Sequence, residues 1–169
     1  MVTATLTAAD VRAVIAGVPD PELPVVTIHD LGILRDVRIE DGRAVVEITP
    51  TYSGCPAMES IRADVRARLA EHGIVDAEVV TVLAPAWTTD WITPEGREAL
   101  HRHGIAPPGP AGPPGPAVPL RPVALTLSVR CPRCGSPDTR ELSRFGSTAC
   151  KALWACTACG EPFDHVKAI

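Results

Sequence analysis

Cys131-Pro132-Arg133-Cys134 and, twenty-one residues further on, Cys156-Thr157-Ala158-Cys159 decide how the C-terminal part of this chain folds. Each Cys-x-x-Cys hook is followed by a glycine, Gly135 or Gly160. Two such hooks supply four thiolates, the soft tetrahedral set that Zn²⁺ takes in closed structural sites. A pair of disulfides is the competing reading. The start of the chain, Met1-Val2-Thr3-Ala4-Thr5-Leu6, lacks the basic flank of a secretory signal, so a reducing, cytoplasmic setting and a metal are expected. The same Cys-Pro-x-Cys-Gly knuckle resembles the iron hooks of rubredoxin, and four sulfurs suit either ion; the spacing favours a zinc ribbon of β-strands. Cys150 stands six residues before Cys156. It is a candidate substitute ligand, redox thiol or buried core residue, and free cysteine is most often the last.

Upstream the composition breaks. From Pro107 to Pro119 the chain is almost wholly proline, glycine and alanine, which cannot build a core and reads as a stiff spacer of about 40 Å if extended. The expected organisation is therefore an α+β domain over 1–105, a Pro/Gly-rich linker over 106–120 and a Cys₄ ribbon over 121–169. The 46% apolar content is ordinary for a globular protein, and no apolar run is long enough to span a membrane. A formal net charge of -4 and interleaved signs around the hooks (Arg133, Asp138, Arg140, Glu141) argue against nucleic acid as a partner.

Within the first domain, Thr7 to Asp10 forms a capping box, and Val11, Val14, Ile15 and Val18 recur at helical spacing. Pro19, Pro21 and Pro24 end that helix in a rigid loop. Ile33 to Glu40 alternates, Asp41-Gly42 is a hairpin turn, and Ala44 to Ile48 answers as the second strand. Met58, Ile61, Val65 and Leu69 make one face of a second helix that Gly73 stops. Val75 to Leu83 reads as a third strand. Thr93-Pro94-Glu95 opens a last helix that ends at Gly104. The order α-β-β-α-β-α predicts a small sandwich with helices on one face of the sheet. Trp87 and Trp91 read as cover for that sheet rather than as an interface.

Chemistry concentrates at Thr51-Tyr52-Ser53-Gly54-Cys55-Pro56. Pro56 suits the first position of the second helix, which sets Cys55 at the cap or beside it. Amides and helix dipole there favour an anion, so the thiol is expected to be more acidic and more nucleophilic than an exposed one. Packing is the plain alternative. A catalytic Cys-His pair would need a base, and among His29, His72, His101, His103 and His165 only His29 falls on a suitably placed loop.

These residues carry a resemblance. Asp20-Pro21-Glu22, Asp30-Leu31-Gly32-Ile33 and Thr51 to Met58 resemble the iron-sulfur cluster assembly domain of SufT-like bacterial proteins and of the eukaryotic cytosolic cluster-targeting factor. With the tail Phe145-Gly146-Ser147-Thr148-Ala149-Cys150-Lys151 and Glu161-Pro162-Phe163 included, nearly the whole chain is similar to the D-component family of bacterial phenylacetyl-CoA epoxidase systems. The resemblance implies a non-enzymatic accessory or maturation role in phenylacetate catabolism. It assigns Cys55 as a reactive or cluster-ligating thiol and Asp20 as the acid on the loop opposite. Asp20 before a proline is equally a turn former. A [2Fe–2S] cluster takes four ligands, so one cysteine per protomer would need a homodimer, or an oxygenase or reductase partner, to complete a transient site. A permanent structural subunit and a rubredoxin-like electron carrier are the alternatives.

Overall fold

The structure, a computed structural model, describes residues 6–52, 54–109 and 129–168. Most of the expected linker over 106–120, and residues 121–128 of the expected ribbon domain, lie outside them. The chain divides into two compact units, one ending at Ala99 and the other running from Leu100 to Ala168.

In the first unit, α1 (Ala8–Ile15) opens with the expected capping box: the Thr7 hydroxyl accepts from the Asp10 amide while the Asp10 carboxylate accepts from the Thr7 amide. Hydrogen bonds from the Thr7 hydroxyl and amide hold the Asp10 carboxyl below its ordinary pKa. The hairpin pairs β1 (Leu34–Glu40) with β2 (Arg43–Ile48) through Asp41 and Gly42, whose φ values of 48° and 83° are those of a type I′ turn. After β2 the chain crosses over through α2 (Ala57–Glu71) and returns as β3 (Ala77–Thr81), parallel to β2. A two-residue turn cannot make that connection, which is why the crossover is helical. The third strand is shorter than the alternation of Val75 to Leu83 predicts. The sheet order is β1-β2-β3.

Both helices lie against one face of this sheet. Val11 and Ile15 of α1, Ile61, Val65 and Leu69 of α2, and Val37, Val46 and Val79 from the three strands are buried. At about 25 cal/mol per Å² of apolar area, side chains of this size each contribute about 1.5–3 kcal/mol on burial. The opposite face is charged: Arg38 pairs with Glu40 and Glu47, and Arg43 with Asp76 and Glu78. Beyond the sheet, a 3₁₀ turn (Thr89–Trp91) leads to α3 (Pro94–Arg102), whose residues from Leu100 onward belong to the second unit.

The second unit holds an antiparallel sheet of β4 (Thr139–Ser143), β5 (Lys151–Cys156) and β6 (Pro162–Val166) in that order. Its small core gathers Ala106, Cys131, Cys156 and Phe163, with Val129 and Trp154 packed against them. Ala106 bridges His165 and exchanges backbone hydrogen bonds with Asp164 and Val166.

Candidate metal centre and thiol site

The two hooks bring Cys131, Cys134, Cys156 and Cys159 together, with all four sulfurs within 4.8 Å of one another. Cys131 and Cys159 stand 3.8 Å apart, and Cys134 and Cys156 3.6 Å. Sulfurs placed about 2.3 Å from a central ion in a regular tetrahedron have edges of about 3.8 Å, so the cage fits a single tetrahedral ion. Each hook turns through a glycine at positive φ, Gly135 at 73° and Gly160 at 78°. These turns let amides point at the sulfurs. The Ser136 amide draws the Cys134 thiol down, but Cys156, desolvation, Cys159 and Cys131 outweigh it and push that thiol up to about 12. The Cys159 and Ala158 amides prevail over desolvation at Cys156 and bring it down to about 7. Cys159 is raised: the Glu161 amide and the Cys134 thiol draw it down, but desolvation and the Cys156 and Cys131 thiols overcome them. Without an ion the cage thus divides its protons unequally among neighbouring sulfurs. An ion that ligates all four removes them.

No disulfide links any of the six cysteines. Cys150 is buried and lies outside the four-sulfur cluster, its sulfur 3.1 Å from the Thr148 hydroxyl.

The thiol at residue 55 is built by the first sheet. Leu34 at the start of β1 sits opposite Ile48, and Ile48 opposite Thr81, so β1 begins where β2 and β3 end. The loop to Cys55 leaves from that end, the usual place for a site in a sheet with parallel strands. Pro56 is the N-cap of α2 itself, which leaves Cys55 immediately outside the cap, half-buried, with its amide donating to the Tyr52 carbonyl. Pro56 offers no side-chain acceptor, so the amides of the first turn of α2 have no side-chain cap. A surface hollow next to this loop is lined by Thr49, Thr51, Tyr52, Leu83, Ala86 and Trp87. Thr51 and Tyr52 belong to the motif that the sequence singles out, but the sequence alone does not bring Thr49, Leu83, Ala86 and Trp87 beside them. The signal that could have found them is the helix between β2 and β3, which requires parallel strands and hence a shared carboxyl end.

Asp20 is buried at 5% exposure. Its Oδ1 accepts from the amides of Glu22 at 2.9 Å and Leu23 at 2.7 Å, the Asx-turn geometry that suits aspartate before a proline loop. Its loop reaches the same end of the sheet: Leu34 and Ile33 donate to the Ile28 carbonyl, and Thr49 donates to that of Ile33. His29 is exposed on the turn that follows.

Asp30-Leu31-Gly32, part of the motif behind the resemblance, forms a structural joint. The Asp30 carboxylate accepts from Thr27 and Thr93, the Leu31 carbonyl accepts from the Trp87 indole at 2.8 Å, and Gly32 lies against Trp91.

Comparison with known proteins matches the chain in two stretches. Residues 8–83 match the family described as iron-sulfur cluster assembly protein, and residues 116–167 match the PaaD zinc beta ribbon domain. An Escherichia coli (strain K12) protein, provisionally named as the D component of a 1,2-phenylacetyl-CoA epoxidase, is 47% identical over 160 residues, 95% of this chain and 92% of its own. The chain belongs to the PaaD family. Its first part is also 39% identical over 83 residues to the Fe-S protein maturation auxiliary factor SufT of Staphylococcus aureus (strain USA300), covering 48% of this chain and 93% of that one. A crystal structure of the domain of unknown function DUF59 from Bacillus anthracis superposes with a TM-score of 0.51 at 31% identity, covering 55% of this chain and 90% of that one. This chain therefore carries a DUF59-like α+β fold and a ribbon with a metal-binding cysteine cage. No helix among the described residues is long and apolar enough to cross a membrane.

Proposed function

We propose that this chain is a cytoplasmic, non-catalytic accessory protein of a phenylacetyl-CoA epoxidase system that assists iron-sulfur cluster assembly or delivery, with Cys55 as the thiol that meets iron or cluster as cargo. The observation that carries this reading is the placement of Cys55. It is a half-exposed thiol at the carboxyl end of two parallel strands, beside helix amides without a side-chain acceptor and a hollow that includes Tyr52 and Trp87. Such amides favour negative charge next to them. Asp20 serves the site by fixing the loop at the same end of the sheet through its two amide contacts.

The ribbon's role is structural and docking. Its four sulfurs are saturated by one tetrahedral ion, and zinc, which has no redox chemistry, suits a closed cage. One thiol per protomer leaves the remaining ligands of a transient cluster to a client; an oxygenase or reductase component of the system fits that part.

The test is genetic and spectroscopic. In cells lacking the natural protein, a Cys55→Ser variant is expected to leave the reductase component short of cluster and to slow growth on phenylacetate, with the ribbon metal retained. Full reductase cluster content and normal growth would reject the role of Cys55. A permanent structural subunit is the second reading, favoured by the name of the Escherichia coli relative, which makes it part of the epoxidase itself. It predicts co-purification with active oxygenase at fixed stoichiometry whether or not residue 55 is cysteine.

A further inference from the structure

An open sheet edge is a template for another strand, and proteins ordinarily blunt it with bulges, charges, proline or a covering segment. Three of the four edges here are blunted. β1 carries a bulge between Leu34 and Asp36 and the charges Asp36, Arg38 and Glu40. β4 carries a bulge between Glu141 and Ser143 and the charges Arg140 and Glu141. β6 begins with Pro162 and is bridged by Ala106. β3, Ala77-Glu78-Val79-Val80-Thr81, has neither bulge nor proline, and its one charge, Glu78, is paired with Arg43 of its own sheet.

Its free side can be identified. The Asp76 carbonyl accepts from Ala44 and the Val82 amide donates to Ile48, so the even-numbered residues face β2. Backbone groups alternate along a strand, hence the amides and carbonyls of Ala77, Val79 and Thr81 point outward. Among the described residues none of them makes a hydrogen bond on that side. Flanking the strand at equal distance are Val75, 84% exposed, and Leu83, 70% exposed, two of the four large apolar side chains exposed among the described residues.

We propose that β3 pairs antiparallel with β3 of a second copy of this chain, about a two-fold axis through Val79. The occupant follows from self-complementarity, which an isologous dimer requires. With Val79 opposite the partner's Val79, Ala77 faces the partner's Thr81 and Val75 faces the partner's Leu83. The three outward-facing positions then meet as hydrogen-bonded pairs, each exchanging two bonds, and each exposed aliphatic side chain covers the other. No charge stands directly opposite a like charge: Glu78 faces the partner's Val80 and Asp76 the partner's Val82. The two Glu78 side chains meet only diagonally, each held at 3.3 Å by Arg43 of its own sheet.

This pairing does not rest on the role of Cys55 but constrains it, because Leu83 also lines the hollow beside the Cys55 loop. Thr81 lies about 14 Å along the sheet from the partner's Thr81, and the Cys55 loops lie beyond the two ends. The two thiols lie at opposite ends of the paired strands, so each meets its own client and none is shared.

The test uses the full-length, metal-replete chain. Sedimentation across a concentration series is expected to show a reversible monomer–dimer equilibrium, and hydrogen exchange at Ala77, Val79 and Thr81 is expected to slow as protein concentration rises. A V75K/L83K double variant, which alters only exposed side chains, sets lysine opposite lysine and should weaken dimerisation by at least about tenfold. A V75E/L83E variant should be weakened alike, and mixing the two should restore a heterodimer. Circular dichroism checks that both variants remain folded. A monomer at every concentration overturns the proposal. So does a dimer that survives both variants, or edge amides protected only when a client protein is added.

Discussion

Lys151 Nζ lies 3.1 Å from Asp164 Oδ2 across β5 and β6, with the lysine side chain only 7% exposed and the aspartate 25%. A buried charge persists where a partner is fixed beside it, and Phe145-Gly146-Ser147-Thr148 does the fixing. Gly146 donates to the Lys151 carbonyl at 2.8 Å, and a Cβ there would come within 3.0 Å of Asp164 Oδ1.

Removing one partner of this pair strands the other. Asp164→Asn or Lys151→Ala should each destabilise the ribbon by about 2–3 kcal/mol, below the full cost of a sealed pair because Asp164 keeps some water. The double change Lys151→Met with Asp164→Leu should recover most of that loss. Denaturant unfolding of the metal-replete protein, followed by Trp154 fluorescence, measures all three. Equal losses in the single and double variants would show that the pair is not the source.

Gly32 sits at φ +67°, and a Cβ on it would stand 2.6 Å from Trp91 Cβ and 2.8 Å from the Trp91 carbonyl oxygen. Neither neighbour is the far end of a flexible chain, and the Arg35 guanidinium stacks on the Trp91 ring at 3.4 Å. Gly32→Ala adds left-handed strain of about 1–2 kcal/mol to the overlap. A loss of about 3 kcal/mol or more in thermal or denaturant unfolding is expected, against less than about 1 kcal/mol for Gly42→Asn, whose turn is open.

What the sequence announced and what it concealed differ by range. Thr7 with Asp10, Asp41 with Gly42 and the spacing of the four cysteines act over a few residues or through rigid coordination geometry, so their pattern carries the answer. Cys55 stands beside a helix start because Pro56 permits little else. The pairing of Asp30 with Thr93, of Gly32 with Trp91 and of Lys151 with Asp164 joins residues far apart or sets a charge where periodicity would put a surface. Nothing local distinguishes Lys151 from a solvated lysine, and nothing in Asp30-Leu31-Gly32 says that its aspartate ties a loop rather than serving chemistry.

Metal binding should release protons. In the ion-free cage Cys134 is pushed up to about 12 and Cys159 is raised, so both carry protons at neutral pH and must lose them to become ligands. Apparent affinity for Zn²⁺ is therefore expected to fall as pH falls. Calorimetric titrations in buffers of different ionisation enthalpy should show proton release that persists at pH 8. Cys156→Ser should abolish stoichiometric metal and unfold the ribbon while the first unit keeps its helical signal. Release near zero at pH 7 would mean that the free cage is already ionised.

His165 lies half-buried in β6 with its ring edge-on to Trp154, centroids 5.8 Å apart. Burial lowers its pKa below the ordinary value of 6.5. The unfolded chain therefore takes up this proton more readily than the folded one, and folding stability should decline as pH falls through about 6.5 toward the folded-state value. Above about 7.5 both states are neutral and the contribution is flat. His165→Phe keeps a ring against Trp154 and removes the proton, so the unfolding free energy of the variant should depend less on pH between about 5.5 and 7. Metal content measured at each pH separates this from loss of the ion. Identical slopes for wild type and variant, at constant metal, would place the proton uptake elsewhere.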